Sequence, residues 1–226
     1  MKKHFNQILS HATKTLPNYA NHNIVFCSGG VDSVAITHIL SKDKNLNIGI
    51  YHFNHKLRSQ NDAMYYKVRE LADFLGIAIY SNEREYNQTD LSEDGLRKSR
   101  LQSADLIFRN ALFITGHHLD DCVESYMLNC IRGHQEYLPI PFCTKLKNNT
   151  IVHPFLFTKK AALRTYCEKH GLMKFVEEDE TNNVSRGSRR NMIRNEILPI
   201  FKRDCVGLDT VVSKIMEKRL LVDLLK

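Results

Sequence analysis

Short apolar runs of strand character alternate with stretches whose apolar residues recur every three or four positions, along most of this 226-residue chain. Residues 23–27 (NIVFC) are a compact run rich in β-formers, and residues 31–40 follow with apolar side chains at helical spacing. The same pairing returns at 47–53 (NIGIYHF) and 62–75, at 77–80 (IAIY) and 93–108, and at 111–115 (ALFIT) and 119–131. Gly76 and Gly133 stand where the second and fourth helices should stop, as glycine closes a helix most easily. Strands alternating with helices of this length predict parallel βαβ units and hence a doubly wound α/β sheet. Residues 134–149, with Pro139 and Pro141, read as an irregular loop. Residues 151–157 (IVHPFLF) read as an edge strand, where Pro154 is tolerable. A helix over 159–170 ends at Gly171, and a polar loop leads to a helix over 193–201 and an amphipathic tail.

Composition narrows the class. Hydrophobic residues make up 42% of the chain, enough for a packed core. No apolar stretch approaches the roughly 20 residues that span a bilayer, so no membrane association is expected. The N-terminal segment is charged and lacks a continuous apolar run, so no signal peptide is expected either. Six cysteines, at 27, 122, 130, 143, 167 and 205, include no CxxC pair, which argues against zinc, iron–sulfur and thioredoxin-like sites. They read as reduced thiols of a cytoplasmic protein. Thirty-two basic against 25 acidic residues leave a net charge of +7, which suits a polyanionic partner such as RNA.

The most informative joint is FCSGGVDS at residues 26–33, where the first strand gives way to the first helix. In parallel α/β sheets, ligands sit outside the carboxyl ends of strands, where loops meet helix N-termini. Small residues there let backbone N–H groups approach an anion, helped by the helix dipole. A Walker A loop would add a lysine, GxxxxGK[ST]; that lysine is missing, so γ-phosphoryl transfer is not expected. Asp32 and Ser33 fall in the first helical turn, where an aspartate also reads as a plain cap. His52/His55 and His117/His118 lack a third ligand at recognisable spacing, so no zinc site is expected.

With its flanking strand and helix, SGGVDS resembles the PP-loop of N-type ATP pyrophosphatases, which cleave ATP between the α- and β-phosphates. Three further stretches extend the resemblance: HFNHKLRSQND at 52–62, GHHLDDCVESYMLNCIRG at 116–133 and EDETNNVSRGSRRNMIRNEILP at 178–199. Together they look like the tRNA(Ile)-lysidine synthetase family, through His52/Asn54/His55/Leu57/Arg58, His117/His118/Asp120/Asp121/Glu124, and Asp179/Thr181/Asn182 with Arg190/Asn191/Ile193/Arg194. The match runs over residues 24–201. It implies an adenine nucleotide alpha hydrolase-like catalytic domain over 1–201, with 202–226 as a helical C-terminal extension.

The reaction so implied modifies the wobble cytidine of an isoleucine tRNA with a CAU anticodon. ATP adenylates the C2 oxygen of cytosine, then the ε-amine of free L-lysine attacks C2 and expels AMP, a carbon–nitrogen ligation. A carbonyl oxygen leaves readily only once it carries AMP. Mg2+ would balance the triphosphate charge.

Residue roles follow from that resemblance and from chemical type. Ser28, Gly29, Gly30, Val31 and Ser33 would cradle phosphate, while Asp32 suits magnesium or substrate orientation. His52, Asn54, His55 and His117 would line the nucleotide pocket with Arg190 and Arg194 near the phosphates. Asp121 and Glu124, three apart on one helix face, match the family's lysine-binding positions. Free lysine has an amine pKa near 10.4, so roughly one molecule in 2,500 is neutral at pH 7. The carboxylates therefore read as positioning groups that also accept a proton during attack. Arg97 suits the adenylate or the lysine carboxylate by a two-pronged contact. Arg58, Arg100, Arg132, Arg186 and Arg189 are the expected tRNA contacts.

Two departures stand out. Leu101 replaces the tyrosine that follows the family's Arg-x-x-Arg, and the chain ends soon after the late arginine motif, where family members commonly continue into tRNA-gripping domains. The tail carries apolar residues at 211, 212, 215, 216, 220, 221, 224 and 225, a stripe that needs the domain body, a missing domain or a second subunit in a homodimer to cover it. The rival readings are a cytidine 2-thiolase, an amide-forming adenylating synthetase, and a catalytically silent nucleotide-binding RNA module.

Overall fold

A computed structural model of the chain describes residues 22–85, 90–134, 136–137, 139–178, 189–204 and 207–224. Its strands are β1 (Asn23–Phe26), β2 (Ile48–Asn54), β3 (Ile79–Glu83), β4 (Leu112–Ile114), β5 (Cys143–Lys145) and β6 (Thr150–Val152). They form one sheet in the order β3-β2-β1-β4-β6-β5, parallel except for the β5–β6 hairpin. The helices joining them are α1 (Val31–Ser41), α2 (Ser59–Leu75), α3 (Glu93–Ile107) and α4 (Leu119–Ile131). After the sheet come α5 (Lys160–Lys169), a 3₁₀ turn (Leu172–Phe175), α6 (Arg189–Met192), a π turn (Ile193–Ile197), α7 (Leu198–Asp204) and α8 (Leu208–Leu224).

The alternation of β1 explains the layering. Val25 and Cys27 face one side and pack with Val34, Ile36, Val68, Leu71 and Leu163 of α1, α2 and α5. Ile24 and Phe26 face the other and pack with Tyr51, Phe53, Phe113 and Ala104 of α3. Apolar residues pointing both ways require helices on both faces, the doubly wound arrangement that the alternating pattern predicts. Gly76 closes α2 in the left-handed conformation, at φ 65°, with nothing in the way of a β-carbon. β1 has β2 on one side and β4 on the other, so the chain reverses its direction of travel across the sheet between β3 and β4. That reversal opens a crevice at the carboxyl ends of β1 and β4.

The structure corrects the sequence reading at the far edge. Residues 150–152 form an inner strand between β4 and β5, and the edge is β5, inside the stretch expected to be loop. A three-residue strand is too short to show alternation, and Pro154 lies beyond the ladder. β3 is shifted towards Ile79–Glu83, because an outer strand with exposed side chains needs no apolar run. The late helix begins earlier and runs further than 193–201, with the π turn inside it. The tail helix α8 buries Val212, Met216 and Leu220 in a third cluster with Leu119 and Val123 of α4, Ile193 and Leu198. Thus part of the stripe is covered within the chain, while Val211 stays 49% exposed. No helix among the described residues is long and apolar enough to cross a membrane.

Candidate active site at the carboxyl ends of the parallel strands

A cavity of about 740 Å3 opens at this crevice, roomy enough for a nucleotide and part of a second substrate. Its floor is the glycine loop between β1 and α1. Gly29 holds φ +95°, and a β-carbon there would meet the Met64 carbonyl oxygen at 3.3 Å, so glycine is required both for torsion and for space. The Ser33 hydroxyl accepts from the amides of Ser28 and Gly29, both at 3.2 Å, and donates to the Gly30 carbonyl at 2.9 Å. Ser33 therefore braces the loop from below. The side chain of Val31 is fully buried, leaving only its amide for a ligand. α1 starts at Gly30 without a side-chain cap, so its first-turn donors and its dipole are directed at whatever enters.

Asp32 lies in that first turn and its two oxygens differ. Oδ2 stands 3.4 Å from His118 Nε2 and 3.6 Å from Lys160 Nζ, whereas Oδ1 is buried with no hydrogen-bond partner. Such an orphaned acceptor is the donor that magnesium uses beside phosphate, since Mg2+ takes one or two carboxylates and keeps waters or phosphate oxygens for the rest. Among the described residues, no cluster of three or more histidine, cysteine or carboxylate side chains would hold a metal alone.

The opposite wall is the start of α4. His118 caps it: its Nδ1 accepts from the Asp121 amide at 3.4 Å, and its own amide donates to Asp121 Oδ2 at 3.0 Å. Burial pulls the His118 pKa down, but Asp32, Asp121 and Asp120 outweigh it and lift the value above that of a free imidazole. Burial would raise Asp120, yet the Lys160 amide at 2.8 Å and Lys202 Nζ at 2.9 Å hold it below the usual carboxylate range. Glu124, only 2% exposed, accepts from Arg194 Nε at 2.6 Å, Arg194 Nη2 at 2.8 Å and Arg190 Nε at 3.0 Å. The same guanidinium groups come within 3.7 and 3.8 Å of Asp121 Oδ1. The acids expected to hold lysine and the arginines expected at phosphate thus face each other directly.

His52 donates from Nδ1 to the Cys27 carbonyl at 2.9 Å, which leaves Nε2 as an acceptor, buried and unpartnered. Burial, with help from Arg100, lowers its pKa and keeps the ring neutral. Asn54 lines the cavity too and organises the following turn, donating to Asp62 at 2.7 Å and accepting from the Lys56 amide at 2.9 Å. His117 does not line it. Its ring turns away to Thr115, at 2.8 Å, and to His153, with ring centroids 4.8 Å apart. Thr115 also contacts His153 closely. Burial and the nearby arginines push His117 down to about 3.

The two arginines of α3 also part company. Arg97 is exposed and outside the cavity lining. Arg100 lines the cavity with its guanidinium 5.8 Å from the Phe26 ring centre and its Nε buried without a partner. Burial, then repulsion from Arg97, lowers its pKa. Arg58 is exposed before α2, Arg189 is exposed at the start of α6, and Arg132 caps the far end of α4. Arg186, with Asp179, Thr181 and Asn182, lies outside the described residues. Sequence reasoning named His118 within the motif but gave it no role, and it missed Lys160, Arg164 and Lys202; all four line the cavity. For His118 a signal existed, because a residue just before a helix with an acid three positions later is a capping pattern. For the lysines there was none.

Comparison with known proteins agrees with this architecture. Residues 1–201 match the PP-loop domain family. A tRNA(Ile)-lysidine synthase of Clostridioides difficile is 31% identical over 214 residues, covering 88% of this chain and 45% of that protein. One of Streptococcus equi subsp. equi is 32% identical over 189 residues, covering 80% and 42%. The chain therefore spans less than half the length of the curated relatives it matches. Among solved structures, the U34-tRNA thiolase NcsA of Methanococcus maripaludis, with its [4Fe-4S] cluster, superposes with a TM-score of 0.70 over 97% of this chain and 79% of its own, at 14% identity, a shared fold. With its family match over residues 1–201 and its glycine loop at the sheet's switch point, the chain belongs to the PP-loop domain family.

Proposed function

We propose that this domain binds ATP and uses it to modify the wobble cytidine of a CAU-anticodon isoleucine tRNA, joining lysine to C2. The observation that carries the reading is one cavity shared by an uncapped helix N-terminus, the bare Asp32 Oδ1 and the acids of α4. The names of the relatives support the same chemistry. The first-turn amides of α1 take phosphate oxygens, and Asp32 Oδ1 would hold magnesium, which would neutralise charge on the departing pyrophosphate. His52 Nε2 accepts from a donor on the nucleotide, and Arg100 offers Nε to an anionic group. The cytosine O2 attacks the α-phosphorus and pyrophosphate leaves. The lysine amine then forms a bond to C2, the C2–O bond breaks, and AMP departs with that oxygen. Asp121 and Glu124 hold the ammonium and take its proton. In this scheme the lysine displaces Arg190 and Arg194 from the acids and frees them for the phosphates. The tRNA contacts are the exposed Arg58, Arg132 and Arg189, with Arg186.

The test is pyrophosphate release with ATP, lysine and the tRNA, omitting each in turn, followed by nucleoside analysis of the product. Release that needs both tRNA and lysine and yields lysidine is expected. Release without RNA would replace this reading with a small-molecule synthetase, and no release at all would leave a silent nucleotide-binding module.

A further inference from the structure

A Walker loop sets a lysine against the outer phosphates, and residues 28–33 contain none. The fold brings one from elsewhere. Lys160 opens α5, and its Nζ reaches to 3.6 Å from Asp32 Oδ2 while lining the same cavity as Ser28 and Gly30. Its backbone is fixed, because its amide donates to Asp120 Oδ2 at 2.8 Å and Lys202 holds the other oxygen of that carboxylate. Only the side chain beyond Cα is left to place. That side chain lines the cavity and is 41% exposed, so it is not sealed into an ion pair. Asp32 does not depend on it for compensation, since His118 Nε2 stands 3.4 Å from the same oxygen. The adjacent Lys159 does something different: its Nζ lies 2.8 Å from Asp209 at the start of α8 and takes no part in the cavity.

We infer that Lys160 is a phosphate-binding residue, the cation for the outer phosphates of ATP that the glycine loop itself lacks. The inference rests on the ATP reading above and adds the group that receives the leaving pyrophosphate. An ammonium has three donors on a flexible stem, so it can keep Asp32 and take a phosphate oxygen at once. Placed beside the leaving group, it stabilises the charge that develops there.

Calorimetric titration of the wild type, Lys160→Ala, Lys160→Arg and Lys159→Ala with ATP, inorganic pyrophosphate and AMP tests this. Lys160→Ala should bind ATP and pyrophosphate ~10- to 100-fold more weakly, the loss of one charge-assisted bond. AMP, which has no outer phosphates, should bind unchanged. Lys160→Arg should recover most of the affinity, and Lys159→Ala should behave as the wild type. Equal ATP affinity in Lys160→Ala overturns the assignment alone, and so does a parallel loss for AMP, which would mark damage to the loop. A wild type that binds neither ATP nor pyrophosphate overturns the ATP reading, and this assignment with it.

Discussion

At the scale of single residues, the site is defined by which atoms are left without partners. Asp32 is held by Oδ2 and bare at Oδ1, and His52 is held by Nδ1 and bare at Nε2. Both residues line one cavity, and a buried polar atom without a hydrogen-bond partner is rare in a packed core. Glu124 makes a contrasting case, with both oxygens engaged by arginines. Glu124→Gln should lower stability by about 2–4 kcal/mol, less than for a fully sealed pair since the arginines are partly solvated; urea denaturation measures it. The histidines titrate in opposite senses. His117, with its folded pKa near 3, stays neutral while the unfolded ring takes a proton below pH ~6.5, so stability falls as pH drops through that window. His118, raised, contributes fully below ~6.5 and loses that contribution as pH rises through its folded value. Denaturation of His117→Asn across pH 4–6 should show a pH slope shallower by up to about 1.4 kcal/mol per unit. An unchanged slope would place the acid sensitivity elsewhere. The sequence reading assigned Arg97 to the adenylate or lysine carboxylate and Arg100 to tRNA, and it put His117 in the nucleotide pocket; in the structure it is Arg100 and His118 that line the cavity, because of the direction each side chain takes.

At the scale of elements, the glycine loop and α8 carry the sharpest expectations. Gly29→Ala meets both an unfavourable torsion and the Met64 carbonyl, so a loss of roughly 1–3 kcal/mol is expected, read from thermal or chemical melts. In α8, Met216→Ala opens a cavity against α4 and should cost about 2–4 kcal/mol, whereas Val211→Ser on the exposed side should change stability by less than about 0.5 kcal/mol. Equal effects of the two would mean that another surface covers the stripe. α4 was legible to the residue, because its apolar spacing is clean and Gly133 follows it. β5 was not, since three residues paired only through a hairpin leave no periodic trace.

At the scale of the whole molecule, the charge surplus together with the tRNA contacts proposed above predicts binding to tRNA that weakens steeply with salt. Filter binding between about 50 and 200 mM salt should show a linear decline of log K with log salt, its slope set by the number of phosphates contacted. A flat response would remove the basic surface from the binding account. The sequence alone determined the alternation of strands and helices, the glycine joint and the acids of α4, since each is a local pattern with a local physical cause. Tertiary structure alone decided that Lys160 meets Asp32, that Glu124 meets Arg190 and Arg194, and that Arg100 rather than Arg97 enters the cavity. Those contacts join residues far apart in the chain, or select one side of a helix, and both depend on how the crossovers return to the sheet rather than on any neighbouring residue.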